Sequence, residues 1–108
     1  MSITIHLFYT GVNGSARKFA EEMISSGTVQ KIRKEKGNLG YRYYVSLEDP
    51  ETVLLVDQWE NQEALDLHHG SEMMGTIASL RNKYDLHMKV ERFSSEDNPV
   101  KDDSFIRK

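Results

Sequence analysis

Between Ile3 and Tyr9 the side chains alternate with a period of two, Ile3, Ile5, Leu7 and Tyr9 on one face and Thr4, His6 and Phe8 on the other, which predicts a strand. After the turn TGVNG the period changes. Ala16, Phe19, Ala20, Met23 and Ile24 follow helical spacing from an N-cap at Ser15, and Val29 and Ile32 continue the stripe past Gly27, so one long helix with room for a kink is expected. KGNLG breaks that helix and opens YRYYVSL, which the turn cluster EDPE joins to TVLLVDQW; the two runs read as an antiparallel hairpin. Asn61 is placed to cap a short helix reaching His69, Gly70 to stop it, and Ser71 to cap a second helix carrying Met74, Ile77, Ala78 and Leu80. DLHMKVERF supplies a fourth strand.

The order β-α-β-β-α-β is the ferredoxin-like arrangement, an α+β fold with both helices on one face of a four-stranded antiparallel sheet. Val53, Leu54, Leu55 and Val56 make the third strand apolar on both faces, and the helices cover only one. The open face, with His6, Phe8, Tyr44, Leu54 and Val56, carries more apolar surface than a monomer comfortably exposes. A homodimer with the sheets face to face is therefore expected. The domain spans residues 1–93. The tail 94–108, SSEDNPVKDDSFIRK, is polar and expected to be disordered, Phe105 and Ile106 being its one apolar pair.

The length, 108 residues, suits one domain with a core that forms without disulfides or a structural metal. The chain has no cysteine, which excludes thiolate ligands and cysteine nucleophiles and favours a reducing compartment, the cytoplasm. MSITIHLFYTG shows no basic flank ahead of a long apolar run, and no stretch approaches the length of a bilayer span, so a soluble protein without a membrane partner is expected. A net charge of −3, with the densest basic cluster QKIRKEK at the solvated end of a helix, argues against nucleic acid as a partner.

Chemistry concentrates in DQWENQEALDLHHG, Asp57 to Gly70, which holds the single tryptophan and two adjacent histidines. On a helix beginning after Asn61, Ala64, Leu65 and Leu67 share one stripe with His68 near its centre, and His69 falls toward its edge. An imidazole turned inward beneath a sheet is partly desolvated, so its neutral form is favoured and it can accept a proton near neutral pH, as a general base must. The alternative is an interior histidine satisfied by a backbone carbonyl, the commoner fate of such a residue. Trp59 is either a core wedge or a wall of the cleft between sheet and helices, its indole N–H free to donate. Tyr41 and Tyr43 share one face of their strand and Tyr44 takes the other. His68, His69 and Glu72 are close in sequence, but Gly70 and Ser71 interrupt the helix that would align them, and no metal site is expected. No glycine-rich phosphate loop, dinucleotide fingerprint or nucleophile elbow occurs, so no cofactor is expected either.

With KEKGNLGY after a long first helix, and VLLVDQWENQEALDLHH placing an acidic residue two before Trp59 and His68 nine after it, residues Ile3 to Phe93 resemble the antibiotic biosynthesis monooxygenase (ABM) superfamily, which includes quinol monooxygenase-like members. The resemblance implies a dimeric α+β barrel and, in catalytic members, oxidation of a phenol or hydroquinone by molecular oxygen without metal or flavin. It matches Trp59 and His68 to a recurrent tryptophan and histidine and Tyr41 to the tyrosine after the glycine turn; these three are the catalytic candidates. Ile5, Leu7, Tyr43, Leu55, Met73, Met74 and Ile77 are the candidate substrate-lining residues. The chain departs from the family at Leu55, where polyketide-oxidising members carry asparagine, and at Met73, where many quinol-type relatives place a second histidine. Ala78 stands where the heme-degrading branch has its heme ligand, and strand one lacks that branch's asparagine, so heme degradation is disfavoured.

Such chemistry is physically coherent, because a deprotonated electron-rich phenol can itself give an electron to oxygen, leaving the protein to bind, deprotonate and shield it. The leading reading is a cofactor-independent monooxygenase acting on a small phenolic or quinol molecule and dioxygen. A non-catalytic dimeric module for small-ligand binding or stress response is the alternative that Leu55 and Met73 favour. An isomerase moving a proton on a small carbonyl compound is a third.

Overall fold

β1 (Ile3–Thr10) opens the chain and leads into α1 (Ser15–Ser25) and α2 (Thr28–Arg33). β2 (Asn38–Val45) and β3 (Thr52–Trp59) form a hairpin, α3 (Gln62–His69) and α4 (Met73–Lys83) follow, and β4 (His87–Ser94) completes the sheet before a 3-10 turn at Val100–Phe105. The computed structural model describes residues 2–108. The sheet is antiparallel throughout in the order β2-β3-β1-β4, the ferredoxin-like α+β topology that the alternation and helix stripes predict.

The strand periods are obeyed residue by residue. Ile3, Ile5, Leu7 and Tyr9 of β1 are buried, as are Val53, Leu55, Asp57 and Trp59 of β3, while the residues between them are half-buried on the other face. Register places Leu7 beside Leu55 and Tyr43 beside the same leucine, so three strands present one apolar layer to the helices. Ala16, Phe19, Ala20 and Met23 of α1, Val29 and Ile32 of α2, and Ile77 and Leu80 of α4 close over that layer. Each large aliphatic side chain buried there contributes about 1.5–3 kcal/mol. The opposite face carries His6, Phe8, Leu54 and Val56, all half-buried, and Tyr44, half exposed.

Several local expectations are corrected. The first helical stripe is two helices rather than one, because Gly27 adopts a left-handed conformation at φ 83° between α1 and α2, where glycine alone carries no Cβ penalty. Ser15 does not cap α1. Gly14 takes the cap position with φ 76°, and Ser15 Oγ instead accepts the Val12 N–H at 3.0 Å. Ser71 likewise turns away from the helix it was expected to cap and donates its hydroxyl to the His68 carbonyl at 2.7 Å, so that α4 begins at Met73. Ile24, Leu67 and Ala78, assigned to inward stripes, are exposed: each lies at the margin of its stripe, where the helix has turned past the sheet. The Asn61 cap holds, its Oδ1 accepting the Ala64 N–H at 2.9 Å, a bond of about 1 kcal/mol.

In the tail, expected to be disordered, Val100–Phe105 forms the 3-10 turn, with Val100 and Phe105 largely exposed. No helix among the described residues is long and apolar enough to cross a membrane.

Candidate functional site

β3 carries one ionisable residue at an inward position. Asp57 stands between Leu55 and Trp59 in the buried parity of the strand, 5% exposed. Its Oδ1 accepts the Trp59 indole N–H at 2.6 Å, which satisfies one acceptor and holds the indole against the sheet. Burial pushes the carboxyl up to about 7, against the Trp59 hydrogen bond that favours its charged form, and the negative charge of Glu35 adds to the rise.

Helical phase on α3 then brings an imidazole onto the same indole. Ala64, Leu65 and His68 are its buried residues, while His69 is exposed. The His68 ring stacks on Trp59 with centroids 4.7 Å apart and planes 28° from parallel, and meets the Tyr41 ring edge-on at 6.4 Å. His68 Nδ1 lies 2.8 Å from Glu35 Oε1. Burial holds the imidazole below its ordinary value, the Glu35 hydrogen bond and charge opposing, with His69 and Arg81 lowering it further.

Glu35 reaches His68 from the turn after α2, and that turn is tightly built. The Glu35 N–H donates to the Ile32 carbonyl, and its own carbonyl accepts from Asn38. Gly37 follows at φ 83°, where a Cβ would overlap Ala64 of α3, and its carbonyl accepts the Glu60 N–H at 2.8 Å. The close approach of the turn to α3 thus requires glycine, and the approach is what puts the carboxylate within reach of the ring.

Three phenols and a guanidinium complete the layer. Tyr9 is fully buried and its hydroxyl accepts from Arg81 Nη2 at 3.1 Å; the guanidinium carbon also stands 5.6 Å from the Tyr9 ring centre. Tyr41 and Tyr43 meet edge-on at 5.9 Å. Burial raises all three phenols above their ordinary value, most plainly Tyr41, while the Arg81 charge opposes the rise at Tyr9 and Tyr43. They are therefore neutral donors near neutral pH. Among the described residues two buried polar atoms in this layer, the Tyr43 hydroxyl and Arg81 Nε, have no partner at hydrogen-bond distance, although the Tyr41 hydroxyl stands near enough to Tyr43 to oppose the rise there.

Of the residues predicted from sequence, Trp59, His68 and Tyr41 are brought into mutual contact. Ile5, Leu7, Leu55 and Ile77 are buried in the same layer, and Tyr43, Met73 and Met74 pack half-buried against it. Trp59 and His68 line none of the four clefts described at the surface; a cleft of about 470 Å³ at the β2 edge reaches Tyr43, beside Ile24, Arg33, Arg42 and Tyr44, and one of about 290 Å³ touches Tyr41. Among the described residues no group of three or more histidine, aspartate or glutamate side chains is arranged to hold a metal ion.

Sequence reasoning gave no site role to four polar members, Tyr9, Glu35, Asp57 and Arg81, although it turned Tyr9 inward and noted the acidic residue two before Trp59. Asp57 was readable, as a charge at an inward strand position. Arg81, four residues after Ile77, borders the buried stripe of α4. Nothing local marks Glu35, whose partner lies 33 residues away.

A comparison with curated protein sequences finds no match. Among solved structures the chain is similar to a proposed antibiotic biosynthesis monooxygenase from Deinococcus radiodurans, with 18% identity and TM-score 0.76 over 92% of this chain and 96% of that one. It is similar also to a protein from Pseudomonas aeruginosa, with 21% identity and TM-score 0.75 over 89% and 95% of the two chains. A third likeness is to a variant of SnoaB, a cofactor-independent oxygenase from Streptomyces nogalater, with 11% identity and TM-score 0.73 over 92% and 97%. At such identities the likeness is one of fold. The family model for antibiotic biosynthesis monooxygenases matches residues 2–79, from β1 into α4 and so across Glu35, Tyr41, Asp57, Trp59 and His68. The chain belongs to the antibiotic biosynthesis monooxygenase family.

Proposed function

We propose that the protein is a cofactor-independent monooxygenase that oxidises a small phenolic or quinol substrate with dioxygen, with His68 as general base and Trp59 and Tyr41 forming the adjoining walls. The observation that carries this reading is the pair of unpartnered buried donors, the Tyr43 hydroxyl and Arg81 Nε, in the layer that also holds a buried histidine biased toward its neutral form. Buried donors without acceptors are costly, on the order of 1–3 kcal/mol each. A substrate oxygen that becomes anionic is the acceptor they suit, in place of any water it displaces. The cleft at the β2 edge supplies an approach to Tyr43, and Ile5, Leu7, Leu55, Met73, Met74 and Ile77 supply apolar surface around a ring.

The chemistry balances without a cofactor. His68 takes the phenol proton, and the electron pair stays on the substrate oxygen, where Tyr43 and Arg81 favour it. A phenol with an open para position and dioxygen then give a quinone and water, one oxygen atom entering the ring and the other leaving reduced by the substrate's own electrons. Oxygen uptake measured across a panel of phenols and hydroquinones, with ¹⁸O₂ to follow the label into product, tests this. Chelator-insensitive uptake with label in the quinone is expected; absence of uptake across the panel refutes it.

The unit of function in this reading is a homodimer closed through the open sheet face, where Phe8, Leu54, Val56 and Tyr44 await cover. A second reading, a dimeric module that binds a small ligand without turning it over, draws on one observation: Trp59 and His68 are packed and line none of the four described clefts. Tight ligand binding without oxygen uptake distinguishes it.

A further inference from the structure

We infer that Glu35 is the positioning residue of His68, holding its ring in the Nδ1–H tautomer so that Nε2 carries the lone pair that takes the substrate proton. The inference rests on the reading of His68 as base and adds to it a residue that neither the sequence patterns nor the family match assigns. Its ground is geometric. Glu35 Oε1 stands 2.8 Å from His68 Nδ1, with the imidazole 3% and the carboxylate 15% exposed. A carboxylate only accepts, so the nitrogen facing it carries the hydrogen and the other is left free.

The pairing is built into the fold. The carboxylate arrives from a turn whose Gly37 packs on Ala64, one helical turn before His68, and whose carbonyl is tied to Glu60 at the start of the same connection. One face of the ring lies against the Trp59 indole, and Trp59 is in turn fixed by its bond to Asp57. His68 is thereby held at an edge and on a face: the stack fixes the plane of the ring, and a half-turn that preserves that plane would keep the stack but break the Glu35 bond, so the carboxylate selects which nitrogen is free.

The consequence for proton transfer has two parts. Fixing the tautomer keeps Nε2 available in every neutral molecule rather than in a fraction of them. When the substrate O–H breaks and Nε2–H forms, the ring becomes an imidazolium whose charge is met by Glu35, which raises the basicity that burial has reduced. The other groups facing the ring do not substitute for this. His69 beside it on α3 and Arg81 from α4 both work against the positive form, Tyr41 from β2 is a neutral phenol, and the Asp57 carboxylate on β3 is engaged by the indole N–H.

Glu35→Gln separates charge from orientation, because its amide oxygen still accepts from Nδ1–H but carries no charge. Nitrogen-15 NMR of the His68 ring in the full chain should show the Nδ1–H tautomer in the wild type and in Glu35→Gln, and loss of that preference in Glu35→Ala. The His68 titration in Glu35→Gln should fall by about one pH unit. With a substrate that turns over, the acid limb of the kcat/KM profile should move the same way and the plateau should drop roughly tenfold, the basicity of the acceptor having fallen. A His68 titration unmoved in Glu35→Gln overturns the inference whatever the activity does. A titration that moves while the kcat/KM profile stays put, in a protein that His68→Gln inactivates, also overturns it and leaves the base assignment standing. Full activity in His68→Gln removes the base itself, and the inference with it.

Discussion

Replacing Asp57 by asparagine should stabilise the protein, and increasingly so as the pH rises. The carboxyl is 5% exposed and burial lifts it to about 7 from its ordinary 3.8. For an acid whose folded pKa lies above its unfolded value, the folded state holds its proton longer. Below the unfolded value both states are protonated and the site is neutral in its effect. Between 3.8 and 7 the unfolded chain ionises first, and stability is lost as the pH climbs; above 7 the loss is complete. A shift of about three pH units at ~1.36 kcal/mol each corresponds to about 4 kcal/mol. Asparagine escapes this dependence and keeps an oxygen for the Trp59 N–H, so the indole remains anchored. Urea or thermal melts of both proteins at pH 4 and pH 8 measure it directly. The two should be nearly equal at pH 4, and Asp57→Asn should lead by about 4 kcal/mol at pH 8, or roughly 15 °C in Tm for a domain of this size. A difference between the two proteins that does not change with pH would refute the reasoning.

Gly37→Ala should cost about 2 kcal/mol or more by urea denaturation, since a left-handed φ of 83° and overlap with Ala64 act together. Gly27→Ala, at the same φ with open space around it, should cost only about 1 kcal/mol in the same assay. Light scattering at micromolar concentration should report a dimer, and a stable monomer would remove the face-to-face sheet pairing. Truncation after Ser95, whose N–H still pairs with the Ser2 carbonyl, should leave Tm within a few degrees; a large drop would show that Phe105 and Ile106 dock.

The sheet was legible because a period of two leaves little choice: Ile3, Ile5, Leu7 and Tyr9 turn to the helices together or not at all. The break at Gly27 was harder to read, since the apolar stripe runs through it and only the backbone records the left-handed turn. Leu67 misled for a related reason, being apolar at the margin of a helix where exposure depends on how α3 leans on β3. Helical phase turned His68 inward and the strand end placed Trp59, and the spacing of the two residues carried the family resemblance that made them candidates. Of the polar partners around them, Glu35 and Arg81 were not local. Glu35 meets His68 across 33 residues and Arg81 meets Tyr9 across 72, and such pairs exist only once α2, α3 and α4 have docked on the sheet.

In the proposed reaction His68 removes the substrate proton and His69, its neighbour, does not. Oxygen uptake by stably folded His68→Gln and His69→Gln variants, melted in parallel to confirm folding, tests it most directly. His68 is buried against Trp59 and Glu35, and His69 is exposed. Turnover should fall roughly 10²-fold or more in His68→Gln, the range of a lost general base, and stay close to wild type in His69→Gln. Wild-type turnover in a folded His68→Gln protein would contradict it.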